Sequence, residues 1–203
     1  SISREQQDQF AARSHEHWAK AQKAGAFKEE IVPITIPQKG GEDVFAVDEH
    51  PRPGTTAEKL AQLKPAFKKD GTVTAGNASG INDGAAAVLL MSEAAAKARG
   101  LEPLAYVRAV ASVGVDPRIM GIGPAPAIRK LLHKSGFELK DVDLIEVNEA
   151  FAAQSIAVGK DLAWDQEKVN VQGGAIAMGH AVGASGARVA TTLLHQMQHK
   201  QAR

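Results

Sequence analysis

The stretch from Asn170 to Arg188, NVQGGAIAMGHAVGASGAR, constrains this chain more than any other. Five of the chain's 19 glycines fall in it, namely Gly173, Gly174, Gly179, Gly183 and Gly186, around the lone histidine His180. Glycine lets backbone approach a ligand closely and adopt positive φ. Residues 169–171 read as the end of a buried strand, and residues 187–198 as a helix with Val189, Leu193, Leu194 and Met197 near helical spacing. A glycine-rich turn between strand and helix aims backbone N–H groups and the helix N-terminus at one point. A histidine there is placed for proton transfer or for polarising a carbonyl. The generic phosphate patterns do not fit. Gly-x-x-x-x-Gly-Lys-Ser/Thr is absent, and the glycines from Gly179 run Gly-x-x-x-Gly-x-x-Gly. On pattern alone, a structural turn with an incidental histidine is the favoured reading.

Around this stretch, strand and helix patterns alternate. Residues 104–113 read as strand, 126–135 as helix, 142–147 as strand, 150–162 as helix, 169–171 as strand and 187–198 as helix. That alternation predicts an α/β layered architecture with a mostly parallel sheet. Asn148 and His180 each follow a strand. In such sheets the loops at the carboxyl ends of strands gather where ligands bind, so the two residues are expected to meet.

The N-terminal part reads differently. Ser3 and Gln6 form a capping box, and Phe10, Ser14, Trp18 and Ala21 share one helical face that Gly25 closes. Residues 31–37 and 44–47 predict a hairpin turning at Gly40-Gly41, with Pro33 and Pro37 marking an edge. A short helix spans 56–63. Residues 85–92 read as a buried strand and 93–99 as a helix ended by Gly100.

Composition narrows the function classes. Lys and Arg (24) almost balance Asp and Glu (23), so no nucleic-acid face is indicated. The longest apolar run, residues 85–91, is too short to cross a membrane. No signal-peptide pattern opens the chain, and a cytoplasmic location is expected. Cysteine is absent, which excludes disulfides and any thiol chemistry within these residues. No metal site is expected. His15 and His17 point to different sides of a helix, and His195 and His199 share a face but lack the glutamate of a zinc motif.

Three long motifs change the weight of the histidine. GGAIAMGHAVGASGAR (173–188), NEAF (148–151) and GTVTAGNASGINDG (71–84) strongly resemble, in order and spacing, motifs of the thiolase family. The resemblance covers essentially the whole chain and is closest to the acetoacetyl-CoA (biosynthetic) thiolases. It implies a partial thiolase-like layered α/β fold plus part of an α+β loop domain. Residues 1–81 would belong to that loop domain, which covers coenzyme A. Residues 82–103 would close the N-terminal core domain, and 104–203 would form an incomplete C-terminal core domain.

The resemblance also implies roles. His180 would activate a nucleophilic cysteine and donate to an oxyanion. Asn148 would hold a water that supplies the companion donor. Arg52 would lie near the nucleotide end of CoA, Phe67 against its pantetheine, and Ala75 and Ser79 along the pantetheine arm. Ala150, Phe151 and Met178 are placed with the acyl and CoA-binding residues. The residue-level alternatives are a solvated arginine for Arg52, a core ring for Phe67 and a helix cap for Asn148. Where most thiolases have Gly-His-Pro, this chain has Gly179-His180-Ala181, and loss of proline's fixed φ predicts looser placement of the histidine.

The implied activity is condensation of two acetyl-CoA to acetoacetyl-CoA and CoA, or the reverse thiolysis, through a cysteine acyl-enzyme. No cofactor is implied beyond CoA thioesters as substrates. Both catalytic cysteines of the family would fall outside this chain, so the chain alone is expected to be inactive. The expected partners are acetyl-CoA and acetoacetyl-CoA, a homotetramer or other homo-oligomer, or a cysteine-bearing segment, with no nucleic acid and no membrane. The alternatives are a non-catalytic CoA-binding or scaffold relative, and a 3-ketoacyl-CoA thiolase of broader specificity.

Overall fold

A computed structural model describes residues 1–202. Its spine is α1 (Arg4–Lys23), started by the expected box: the Ser3 side chain accepts from the Gln6 backbone, and the Gln6 side chain accepts from the Ser3 backbone. Gly25, at φ 73°, follows its end. The hairpin is β1 (Ile34–Gln38) and β2 (Gly41–Phe45), antiparallel, with Ile34 opposite Phe45. Both strands are exposed throughout. The second strand starts at Gly41, three residues before the apolar run that marked it. The helices α2 (Ala57–Ala61), α3 (Glu93–Ala98), α4 (Pro124–Ser135), α5 (Ala152–Leu162), α6 (Ala175–Met178) and α7 (Ser185–Lys200) follow. Proline at the start of α4 suits a position whose N–H has no helical acceptor. The four-residue α6 has no periodicity for a sequence reading to find.

The expected parallel sheet is largely not formed among the described residues. Residues 85–92 and 104–113 carry no strand, and Leu89, Leu90, Val107 and Val110 are exposed rather than buried. A strand needs a neighbour to satisfy its N–H and C=O groups, and neither segment is paired with a strand among the described residues. Side chains take some of the carbonyls instead: Gln198 Nε2 donates to Leu104 O, Lys134 Nζ to Val110 O and Lys130 Nζ to Ser112 O. Residues 142–147 and 169–171 also lack a full strand. They meet in one parallel bridge, Ile145 with Val169. Asn170 extends that pairing with its side chain, accepting from Val147 N at 2.8 Å and donating to Val147 O at 2.8 Å.

The core lies where helices cover these short pairings. Ala125, Val158, Trp164 and Val169 form one apolar cluster. Trp18, Ala21, Phe27 and Ala177 form a second, and Ala11, Leu60, Ala152 and Ile176 a third. The last two seat α1 across α5 and α6. Asp8, buried in α1, receives Arg4 Nε at 2.7 Å and Asn77 Nδ2 at 2.9 Å, tying the helix to the 72–77 turn.

Close approach explains Gly173. At φ +81°, a Cβ there would sit 2.5 Å from Ser14 O and 2.8 Å from Trp18 N. Gly173→Ala must therefore strain its backbone and lift α1. A loss of about 1–3 kcal/mol is expected in chemical denaturation; an unchanged midpoint would show that α1 does not seat on this glycine.

Candidate functional site

Two chain reversals converge. The 145–147 segment runs into Asn148, and the 168–170 segment runs through Gly173 and α6 into Gly179 and His180. The segment 77–82 lies between them. Its Ala78 bridges Phe151 antiparallel, and its Ile81 bridges His180 in parallel. Ala152 N donates to Asn77 O, and Ser79 N donates to Ala150 O. All three sequence motifs thus meet on one side of α1.

Asn148 and His180 touch as expected, with Asn148 Nδ2 3.3 Å from His180 Nε2. The other ring nitrogen, Nδ1, lies 2.7 Å from Ser185 Oγ. The His180 backbone N–H reaches Gly80 O and Asn82 Oδ1, each at 3.2 Å. Gly179, at φ +95°, leaves the room that the Asn82 side chain fills. Asn148 is not a helix cap: the N-cap of α5 is Phe151, without a side-chain bond. Asn148 Oδ1 is buried without a hydrogen-bond partner.

Glu149 supplies the support. Its fully buried carboxylate accepts from Ser14 Oγ at 2.7 Å, Asn170 Nδ2 at 2.8 Å and Ile176 N at 3.2 Å. Ser14 Oγ in turn accepts from Gly174 N at 3.0 Å. A Cβ on Gly174 would collide with this carboxylate. Burial pushes the Glu149 carboxyl upward, and the bonds from Asn170, Ser14 and Ile176 pull it back.

The remaining expected site residues fall in two groups. Phe67 and Phe151 meet edge to face, ring centroids 6.0 Å apart, and both are exposed. Phe67 is 74% exposed, so the core-ring alternative fails for it. Ser79 Oγ donates to Ala150 O at 3.1 Å. Met178 packs against the Trp18 cluster beneath the loop. Ala75 is exposed on the turn after Thr74, and Arg52 is exposed in the 50–54 loop. No direct contact joins Arg52 to His180, but its charge, with that of His50, acts on His15, whose buried ring is lowered to about 4, chiefly by desolvation. His50 Nδ1 is 2.9 Å from Ala177 O. His199 stands 3.2 Å from Glu29.

Sequence reasoning missed Ser14, Asn82, Asn170 and Ser185 as site supports. Asn82 and Ser185 lay inside the quoted motifs. Ser14 was read only as a member of a helical face, and nothing local marked it as a carboxylate partner.

An imidazole beside an amide, on a loop of small residues, brings together groups of the kind that proton transfer next to a carbonyl uses. The N-terminal thiolase domain matches residues 1–94 and the C-terminal thiolase domain residues 101–203, so the chain belongs to the thiolase family. It is 61% identical to acetyl-CoA acetyltransferase of Allochromatium vinosum and 60% identical to that of Pseudomonas aeruginosa. Each comparison covers all of this chain and 52% of the relative. Among solved structures, acetyl-CoA acetyltransferase of Bacillus anthracis is 56% identical, TM-score 0.96, over 99% of this chain and 51% of its own. Human mitochondrial 3-ketoacyl-CoA thiolase in complex with CoA is 46% identical, TM-score 0.90, over 100% of this chain and 50% of its own. The chain therefore spans about half the length of the relatives it matches. The layered thiolase fold is shared, although most of its sheet is not formed by the residues described here.

A second buried carboxylate gives a pH test of the layer beneath the site. Glu146 accepts from Gln196 Nε2 at 2.8 Å, and Arg188 lies 3.9 Å away. Burial raises its carboxyl from 4.5 to about 7. Across that window the folded chain keeps a proton that the unfolded chain releases, so this group's contribution to stability falls as pH rises. Glu146→Gln should lose less stability than the parent between about pH 5 and about pH 8. Equal losses in denaturant titrations at the two pH values would contradict the assignment.

Proposed function

We propose that this chain supplies the histidine and asparagine half of a thiolase acyl-transfer site. The reaction is condensation of two acetyl-CoA to acetoacetyl-CoA and CoA, or the reverse. The observation that carries this reading is the 3.3 Å approach of Asn148 to His180 across 32 positions of sequence. His180 Nε2 takes the proton of a nucleophilic cysteine thiol, whose sulfur then attacks the thioester carbonyl and releases CoA. The oxygen that gains charge is met by His180 and by a water held on Asn148, an amide that donates without titrating. The sulfur that carries the acyl group must come from outside this cysteine-free chain.

The exposed Phe67–Phe151 pair supports a face for the pantetheine arm and acyl group, with Ala75, Ser79, Ala150 and Met178 around it. Arg52 is assigned to the nucleotide end of CoA. Residues 1–81 serve as part of the CoA-covering loop domain, 82–103 as the end of the N-terminal core and 104–203 as the C-terminal core. The assembled enzyme is a cytoplasmic homotetramer on this reading. No described helix is long and apolar enough to cross a membrane.

The test recombines this chain with a cysteine-bearing segment matching the other half of its relatives. Acetoacetyl-CoA formation is expected from the mixture and not from the chain alone. His180→Ala should lower kcat by about 10²–10⁴-fold, and Asn148→Ala by about 10²–10³-fold. Binding of acetyl-CoA without any acyl-enzyme, read by intact mass, would overturn the proposal in favour of a non-catalytic CoA-binding protein.

A further inference from the structure

We propose that Ser185 fixes the tautomer of His180, making Nε2 the only basic nitrogen of the ring. Ser185 opens α7, and its side chain is buried. Its Oγ lies 3.0 Å from Ala181 O and donates its single proton there. A hydroxyl has one hydrogen to give. The 2.7 Å contact with His180 Nδ1 therefore requires the ring to donate. Nδ1 carries the proton, and the lone pair sits on Nε2. On the opposite side of the ring, Asn148 Nδ2 lies 3.3 Å from Nε2, the approach of an amide donor to a bare nitrogen in the same tautomer. Two partners on two chain segments thus select one tautomer before any substrate arrives.

A backbone bond keeps Ser185 in place. Its backbone N–H donates to Ala181 O at 2.8 Å, so the residue that follows the histidine anchors the serine that orients it. The loop from 181 to 185 closes on itself through that one carbonyl. Ser185 also offers no attack on substrate, since its hydroxyl is turned inward to Ala181 and the ring. It is a positioning residue, acting only through His180. This inference deepens the acyl-transfer reading, on which its catalytic consequence rests. The tautomer itself does not depend on that reading.

The experiment is long-range ¹H–¹⁵N NMR of the histidine-labelled chain, with His180 assigned by loss of its signals in His180→Gln. The parent should show a protonated Nδ1 and a bare Nε2. Ser185→Ala should return the ring to the mixed tautomers of an unconstrained imidazole, and Ser185→Thr, which keeps the hydroxyl, should restore the single form. A parent ring protonated at Nε2 would overturn the proposal without any variant. So would a Ser185→Ala spectrum identical to the parent's. In the recombined enzyme, Ser185→Ala should lower kcat about 10- to 100-fold with little change in KM. A tautomer shift with unchanged turnover would uphold the clamp and instead count against His180 as the acyl-transfer base.

Discussion

The carboxylate of Glu149 joins three parts of the chain that share no sequence neighbourhood. Ser14 brings α1, Asn170 brings the short parallel pairing, and Ile176 N brings the start of α6. Removing that carboxylate leaves three buried donors without their acceptor, a penalty of about 1–3 kcal/mol for each. Asn148 and His180 flank the network, the first one residue before Glu149 and the second four residues after Ile176. Asn148 precedes Glu149 directly, and α6 delivers His180 through Gly179. A buried charged group is a poor source of net stability, and here its value lies in register. It fixes where two loops end relative to each other.

The layer that would normally flank such a site is different. Residues 85–92 and 104–113 have the apolar sequence of interior strands, yet their pairing groups face no strand among the described residues. The site itself escapes that deficit because it is built from helices, turns and single bridges. The short Ile145–Val169 bridge is completed by an asparagine side chain imitating backbone, with Asn170 held at φ 47° to do so. Local polar chemistry thus replaces sheet length at the point where Asn148 must be placed.

Much of this was legible in sequence. Helix α1 with its capping box, the stop at Gly25, and helices α3 to α5 and α7 follow from caps, glycines and periodicity, and the meeting of Asn148 with His180 from placing each just after a strand, of which a single bridge is formed. What sequence could not show depends on distance in the chain. Residues 85–92 satisfy every local rule for a strand, but a strand is a relationship with a neighbour. Ser14 looked like one more small residue on a packed face, because its carboxylate lies 135 positions away. Helix α6 is a single turn whose reason is the Glu149 acceptor at Ile176. Phe67 was open to a core reading because exposure of an aromatic ring is set by what lies opposite it.

The Glu149 network orders the site independently of the strand pairing that residues 85–92 and 104–113 lack. Amide hydrogen exchange of the chain, resolved by segment, tests it most directly. Slow exchange is expected across residues 174–180, where Gly174 N, Ile176 N and His180 N each have a defined acceptor, and fast exchange across 85–92 and 104–113. Exchange at 174–180 as fast as in those two segments would contradict it.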